Sequence, residues 1–209
     1  MENPSNKQRE WYFFHEAIRC FWLGYTERFK RFASKCLEII GHLPQFNTYQ
    51  IKFYHGKNSG YYDTSPSFLS SYSLSFTLLC EGLYLVQTQK KKKSKETLRL
   101  AIAAVRELAS MSEHNFLNKK ELLEAELYSF EKKNERAIAS YDASIASARN
   151  SKFTHEQGLA CERAGFHCKK VNDKGRALQY FQQARECYEE WGSSVKVDFI
   201  KKEMDNLNM

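Results

Sequence analysis

The sequence predicts an all-α protein made of stacked αα-hairpins, closed at its C-terminal end by a capping helix. Three observations carry this. Gly (9) and Pro (3) together supply 12 of 209 residues, about half their usual share, too few turn formers for a sandwich or a barrel. Apolar residues recur at three-four spacing along most of the chain, the period of a helix face. The C-terminal half repeats itself at an offset of 40 residues, with small residues and aromatics in matching places. An aromatic content of 14% also lies well above that of disordered segments.

The elements follow in order. Over residues 8–40, Phe14, Ala17, Ile18, Phe21, Trp22 and Tyr25 form one stripe. Phe29, Phe32, Ala33, Cys36, Leu37 and Ile40 form a second after Gly24-Tyr25-Thr26. Thr26 is placed to cap the second helix, and Gly41 and Pro44 end it, so the pair reads as an αα-hairpin. Residues 45–62 support a further helix with Phe46, Tyr49, Phe53 and Tyr54 on one side, broken at 56–60. A loop is expected at 63–66 and then a long apolar helix to about residue 89. Its most apolar window, 68–86, is interrupted by four serines and Glu81, which suits a buried helix better than a membrane span. Lys90, Lys91, Lys92, Lys93 and Lys95 read as an exposed connection, since like charges packed this closely repel. A helix over 94–111 follows, with Leu98, Ile102, Val105 and Leu108 on its stripe. Residues 1–112 thus group as aromatic-rich hairpins, and 113–209 as two repeat hairpins plus a cap in one continuous array.

The repeat sets Ala125 on Gly165, Arg136 on Arg176, Ala137 on Ala177, Tyr141 on Phe181 and Ser144 on Ala184. A small residue on the first helix lets the second cross closely, and an aromatic fills the space beside the crossing. This skeleton resembles the tetratricopeptide repeat (TPR), in a degenerate superhelical form. The large apolar residue expected early in the first helix is Glu121 in one copy and Cys161 in the other. The expected tyrosine is Tyr128 in one copy and Cys168 in the other, and no proline closes either hairpin. Such a hairpin cannot bury its apolar face alone, so neighbours must stack on it. At the C-terminus, Val197, Ile200, Met204 and Leu207 make the apolar stripe of a capping helix over 193–207. Gly192 is placed to end the preceding helix, and Ser193 or Ser194 to cap the new one.

A more particular resemblance rests on Phe153-Thr154-His155-Glu156, Leu159-Ala160, Glu162, Ala164-Gly165, Ala177, Tyr180, Ala184, Cys187-Tyr188, Trp191-Gly192 and Lys196-Val197. Glu124-Ala125-Glu126, Tyr141-Asp142, Ile145, Ala148 and Phe53-Tyr54-His55-Gly56 extend it. Together they resemble the TPR-like helical region of large fused sensor kinases, which join protein-kinase-like, ATPase-like and often histidine-kinase domains. The resemblance is clearest over 116–200. It implies a helical linker and docking module in signal transduction, whose relatives keep their enzymatic activity in other domains. No phosphate-cradling G-x-x-x-x-G-K-[ST] loop and no kinase H-R-D or D-F-G element occurs in this chain.

The residues themselves offer little chemistry. His15-Glu16 and His155-Glu156 begin like a zinc-protease helix, but Arg19 and Leu159 stand where the second histidine is required. Cys161 and Cys168 share a helical face about 10.5 Å apart along the axis, too far for one zinc ion, and His167 faces away from Cys161. There is no nucleophile elbow, and Glu124 with Glu126, or Glu189 with Glu190, point apart on a helix. The expectation is a protein that is not an enzyme, with no metal and no cofactor. Six cysteines without a C-x-x-C pair read as reduced, packed thiols of a cytosolic protein, and residues 1–10 lack the apolar run of a signal peptide.

Binding through a surface is what remains. In TPR arrays the first helix of each hairpin lines the concave face. The transferred register names Lys119, Leu122, Glu126, Ser129 and Phe130 in one copy, and Leu159, Glu162, Phe166, Lys169 and Lys170 in the other. Phe130 and Phe166 would serve as anchors and Lys169 and Lys170 would address carboxylates. The predicted function is protein–protein interaction as a scaffold or regulatory module, with another protein, through an extended or acidic segment, as partner. The alternatives are a nucleic-acid-binding helical protein using the Lys90 to Lys95 run, and an inactive fragment of a fused kinase. The net charge of +7, 32 basic against 25 acidic residues, is a mild excess that favours neither. The expected location is cytoplasmic, with nuclear entry through the lysine run as the alternative.

Overall fold

A computed structural model describes residues 91–208. The expected hairpins before residue 90, the apolar 68–86 segment, Lys90 and Cys20, Cys36 and Cys80 lie outside the described residues. Within them are six helices and no strand: α1 (Lys91–Met111), α2 (Glu113–Phe130), α3 (Asn134–Asn150), α4 (Thr154–Lys170), α5 (Lys174–Trp191) and α6 (Ser194–Asn208). Each helix packs on the next in the chain, and α2 also touches α4. The result is the expected all-α stack: hairpins α2–α3 and α4–α5, preceded by α1 and covered by α6.

The turns explain the 40-residue offset. Lys132, Lys152, Asn172 and Gly192 all take positive φ, between 59° and 84°, and they recur every 20 residues. At each turn two backbone hydrogen bonds close the helix end. Lys132 N–H donates to Ser129 O and Lys133 N–H to Tyr128 O, and the same pair recurs at Lys152–Phe153, Asn172–Asp173 and Gly192–Ser193. This is the Schellman closure. The residue after each left-handed position then starts the next helix: the carbonyls of Lys133, Phe153, Asp173 and Ser193 accept from N–H groups four residues on. Helix plus turn is a 20-residue unit, so a hairpin is 40. Only Gly192 was legible as such a turn, because two lysines and an asparagine adopt the conformation elsewhere.

The crossings follow the repeat register. Ala125, Ala137, Tyr141, Ser144, Ala177, Phe181 and Ala184 are all buried. A β-carbon built on Gly165 would lie 2.6 Å from the Phe181 ring, and one on Gly158 would lie 2.9 Å from the Tyr188 ring. The missing side chains are what let α4 and α5 meet with an aromatic between them.

α1 buries Leu98, Ile102, Val105 and Leu108 as expected, together with Ala101, Ala104 and Ala109. Within the described residues it is helical from Lys91 onward, so Lys91, Lys92, Lys93 and Lys95 lie in a helix rather than a connection. Lysine is a good helix former, and the Lys95 ammonium finds the Glu131 carboxylate at 2.6 Å. α6 buries Val197, Ile200 and Leu207 against α5. Ser193 starts it through its backbone carbonyl alone, since its buried hydroxyl has no hydrogen-bond partner.

Candidate functional site

The helices α2, α4 and α6 run side by side in the same direction, and side-chain pairs, all but one of them polar, join them rung by rung. Between α2 and α4 the rungs are Lys119–Glu156 (Nζ–Oε2 2.6 Å), Glu126–Arg163 (Oε1–Nε 2.7 Å) and Ser129–His167 (Oγ–Nδ1 2.8 Å). Between α4 and α6 they are Glu162–Lys196 (3.0 Å), Phe166–Phe199 (ring centroids 6.0 Å) and Lys169–Glu203 (2.6 Å). On the other layer, Tyr180 of α5 donates to Asp142 of α3 at 2.7 Å.

The charged rungs are satisfied locally, whereas His167 Nε2 and Asn118 Oδ1 beside them are buried without a hydrogen-bond partner. Lys119 also donates to Asn115 O at 2.9 Å and lies 5.2 Å from the Phe153 ring, while Asn118 donates its amide to Glu156. Burial draws the Lys119 ammonium down and Glu156 opposes the shift. Glu126 takes two bonds from Arg163 and a third from the Tyr141 hydroxyl at 2.9 Å. Burial, and then the Glu126 charge, push the Tyr141 phenol well above its usual value, so it stays a donor. Glu162 accepts from the Tyr188 hydroxyl at 2.7 Å as well as from Lys196. Burial holds the His167 imidazole below its usual value, helped by Lys170.

Six of the ten expected groove residues are therefore not groove residues. Lys119, Leu122, Glu126, Ser129, Leu159 and Glu162 are buried inside the stack. The reason is physical: a neighbouring helix 34–38 residues away in sequence brings a counter-charge, or for Ser129 an imidazole nitrogen, to each polar one, and a paired charge can be buried. Phe130 and Phe166 are half-buried, and Lys169 and Lys170 are exposed. Phe166 packs edge-on against Phe181, with centroids 5.2 Å apart, and leans on Phe199.

Phe199, 41% exposed, was missed by sequence reasoning. It falls outside the stripe of α6, and an apolar residue off the stripe was the available signal. Val195 precedes it by one turn and Lys202 follows it by one, both exposed. Phe166, Phe199 and Val195, with Lys169, Lys170 and Lys202 on the same two helices, make an aromatic and cationic surface over α4 and α6. Arg163 was also missed, and nothing local in the sequence marks it.

The four residues weighed as zinc ligands are engaged separately. His155 stacks on Trp191 at 5.3 Å, His167 bonds Ser129, and Cys161 and Cys168 are buried free thiols, as is Cys187. Among the described residues no three His, Cys, Asp or Glu side chains converge to hold a metal ion, and no helix is long and apolar enough to cross a membrane. Compared with known proteins, the chain matches no family model, no curated protein and no solved structure.

Proposed function

We propose that this helical stack is a non-catalytic protein-binding module of TPR-like character, acting as a scaffold or regulatory part of cytoplasmic signal transduction, as the resemblance to the helical region of fused sensor kinases implies. The observation that carries the reading is the exposed Phe199 leaning on the half-buried Phe166, beside the exposed Lys170 and Lys202, with Lys169 held by Glu203. An exposed aromatic beside cations suits a partner segment that offers one apolar anchor flanked by carboxylates. The charged residues of the α2–α4 seam are taken up in holding helices together, whereas Lys170 and Lys202 are exposed.

The test is a fluorescence-anisotropy panel of acidic peptides, each with one central Phe, Leu or Trp, against the full chain. Binding should weaken at least tenfold in Phe199→Ala and in the Lys170→Glu, Lys202→Glu double variant, with thermal stability kept. Equal binding by wild type and variants would overturn the surface. Tight binding of duplex DNA instead, with affinity falling steeply in salt, would favour the nucleic-acid alternative.

A further inference from the structure

The seam between α4 and α5 holds two thiols from opposite helices. A β-carbon on Gly158 would lie 3.1 Å from the Cys187 β-carbon, so the two backbones approach closely there. Cys161 stands one turn further along α4, and its thiol points at the Gln183 Oε1 of α5, 3.9 Å away. Gln183 lies one turn before Cys187 on the same helix. The Cys161 sulfur is thus held against the strip of α5 that bears Cys187, about one helical turn from it. Both are free. Cys161 is fully buried, whereas Cys187, at 7% exposure, reaches the rim of the seam.

We propose that Cys161 and Cys187 are a peroxide-oxidisable pair that closes into a disulfide and staples α4 to α5. The reaction takes two steps. The Cys187 thiolate attacks one oxygen of hydrogen peroxide: an S–O bond forms, the O–O bond breaks, and the departing hydroxide takes up a proton to leave as water. The Cys161 sulfur, giving up its proton, then attacks the Cys187 sulfenic acid. An S–S bond forms, the S–O bond breaks and a second water leaves, so two thiols and one peroxide give one disulfide and two waters.

The division of roles follows from the surroundings. The neighbouring Cys161 thiol draws Cys187 below the usual thiol range, which favours the attacking thiolate. Contact with Cys187 and then burial push Cys161 up, which suits the resolving partner. Arg149 of α3 favours the thiolate at both. Cys168 is the internal control: burial raises its thiol to about 11, and its charged neighbours are Asp173, Arg176 and Asp142 rather than a second thiol.

The full chain, treated with a small excess of hydrogen peroxide, would be quenched with an alkylating agent, digested and mapped by mass spectrometry. The expected product is one peptide pair joining Cys161 to Cys187, two hydrogen atoms lighter than its reduced parts and released by a thiol reductant. Cys168 should be recovered alkylated, and a Cys168→Ser chain should cross-link as the wild type does. The oxidised chain should also show a higher urea midpoint than the reduced one, because the staple restricts the unfolded state. Cys187 over-oxidised to sulfinic acid without a cross-link, both thiols left reduced while Cys168 reacts, or all three left reduced would each overturn the proposal.

Discussion

Arg163 of α4 closes on Glu126 of α2 with two hydrogen bonds, Nε to Oε1 at 2.7 Å and Nη2 to Oε2 at 2.9 Å, while Tyr141 of α3 donates to Oε1 at 2.9 Å. One buried carboxylate thereby joins three helices. Removing a single partner of such a pair leaves an uncompensated charge, at a cost of about 3–5 kcal/mol. Arg163→Leu should lower stability by that order, whereas adding Glu126→Leu should recover a large part of the loss. A double-mutant cycle on urea midpoints checks this. Additive losses would mean that the two side chains are not coupled.

Two of the glycines of the second hairpin, Gly165 and Gly175, should respond in opposite directions. Gly165→Ala drives a methyl group into the Phe181 ring at 2.6 Å and should cost about 1–3 kcal/mol as overpacking, partly recovered by Phe181→Leu. Gly175→Ala, in the first turn of α5, meets only an Asp173 oxygen at 3.9 Å. It should stabilise by about 0.4–1 kcal/mol through the unfolded chain. Thermal melts of the two variants should shift with opposite sign.

The left-handed turns hold residues that carry a β-carbon. Lys132 and Lys152, at φ 60° and 59°, bear a steric cost of about 1–2 kcal/mol, which exceeds the conformational entropy that glycine loses there, about 0.5–1 kcal/mol. Lys132→Gly and Lys152→Gly should therefore each raise the melting temperature. Asn172→Gly should do so less, since asparagine tolerates this region. Gly192→Ala should lower it by an amount equivalent to about 1 kcal/mol.

Acid should weaken the fold in two stages. Burial, before any other cause, holds His155 and His167 below their usual 6.5, so the native state favours the neutral rings. Their contribution is complete above about pH 6.5 and is lost as pH falls through the lower native values. Glu131, hydrogen-bonded by Lys133 and Lys95, is held at about 2 against a usual 4.5. Its contribution is present above 4.5 and lost as pH falls towards 2. Urea midpoints should be level from pH 8 to 7 and decline from 6.5 downward, and the His155→Gln, His167→Gln double variant should flatten the first decline. A wild-type midpoint unchanged between pH 7 and 5 would rule out the histidine stage.

Much of the stack was legible from residue size alone. Whether two helices cross closely depends on the single residue at the crossing, so Ala125, Gly165, Ala137 and Ala177 announced it without knowledge of the partner. The stripes of α1 and α6 were legible for a similar reason, since helical period and side-chain polarity are local. The helicity of Lys91, Lys92, Lys93 and Lys95 was not: a run of lysines reads as repulsion until a carboxylate such as Glu131 is brought to it. The groove register failed on the same ground. It took Lys119, Glu126 and Glu162 to face a partner, whereas each is buried against a counter-charge on a neighbouring helix.

By itself the sequence determined that the C-terminal half is helical, that it repeats every 40 residues, where its small residues let helices meet, and that an apolar-striped helix covers its end. Only the tertiary structure decided which charges are interior. Whether a lysine or glutamate can leave water depends on a counter-group on another helix, 34–38 residues away here, and no local pattern encodes that distance. The same packing brought Phe199 beside Phe166 and Cys187 beside Cys161. Each of these residues is unremarkable in its own helix, and its chemistry comes from the neighbour that the fold supplies.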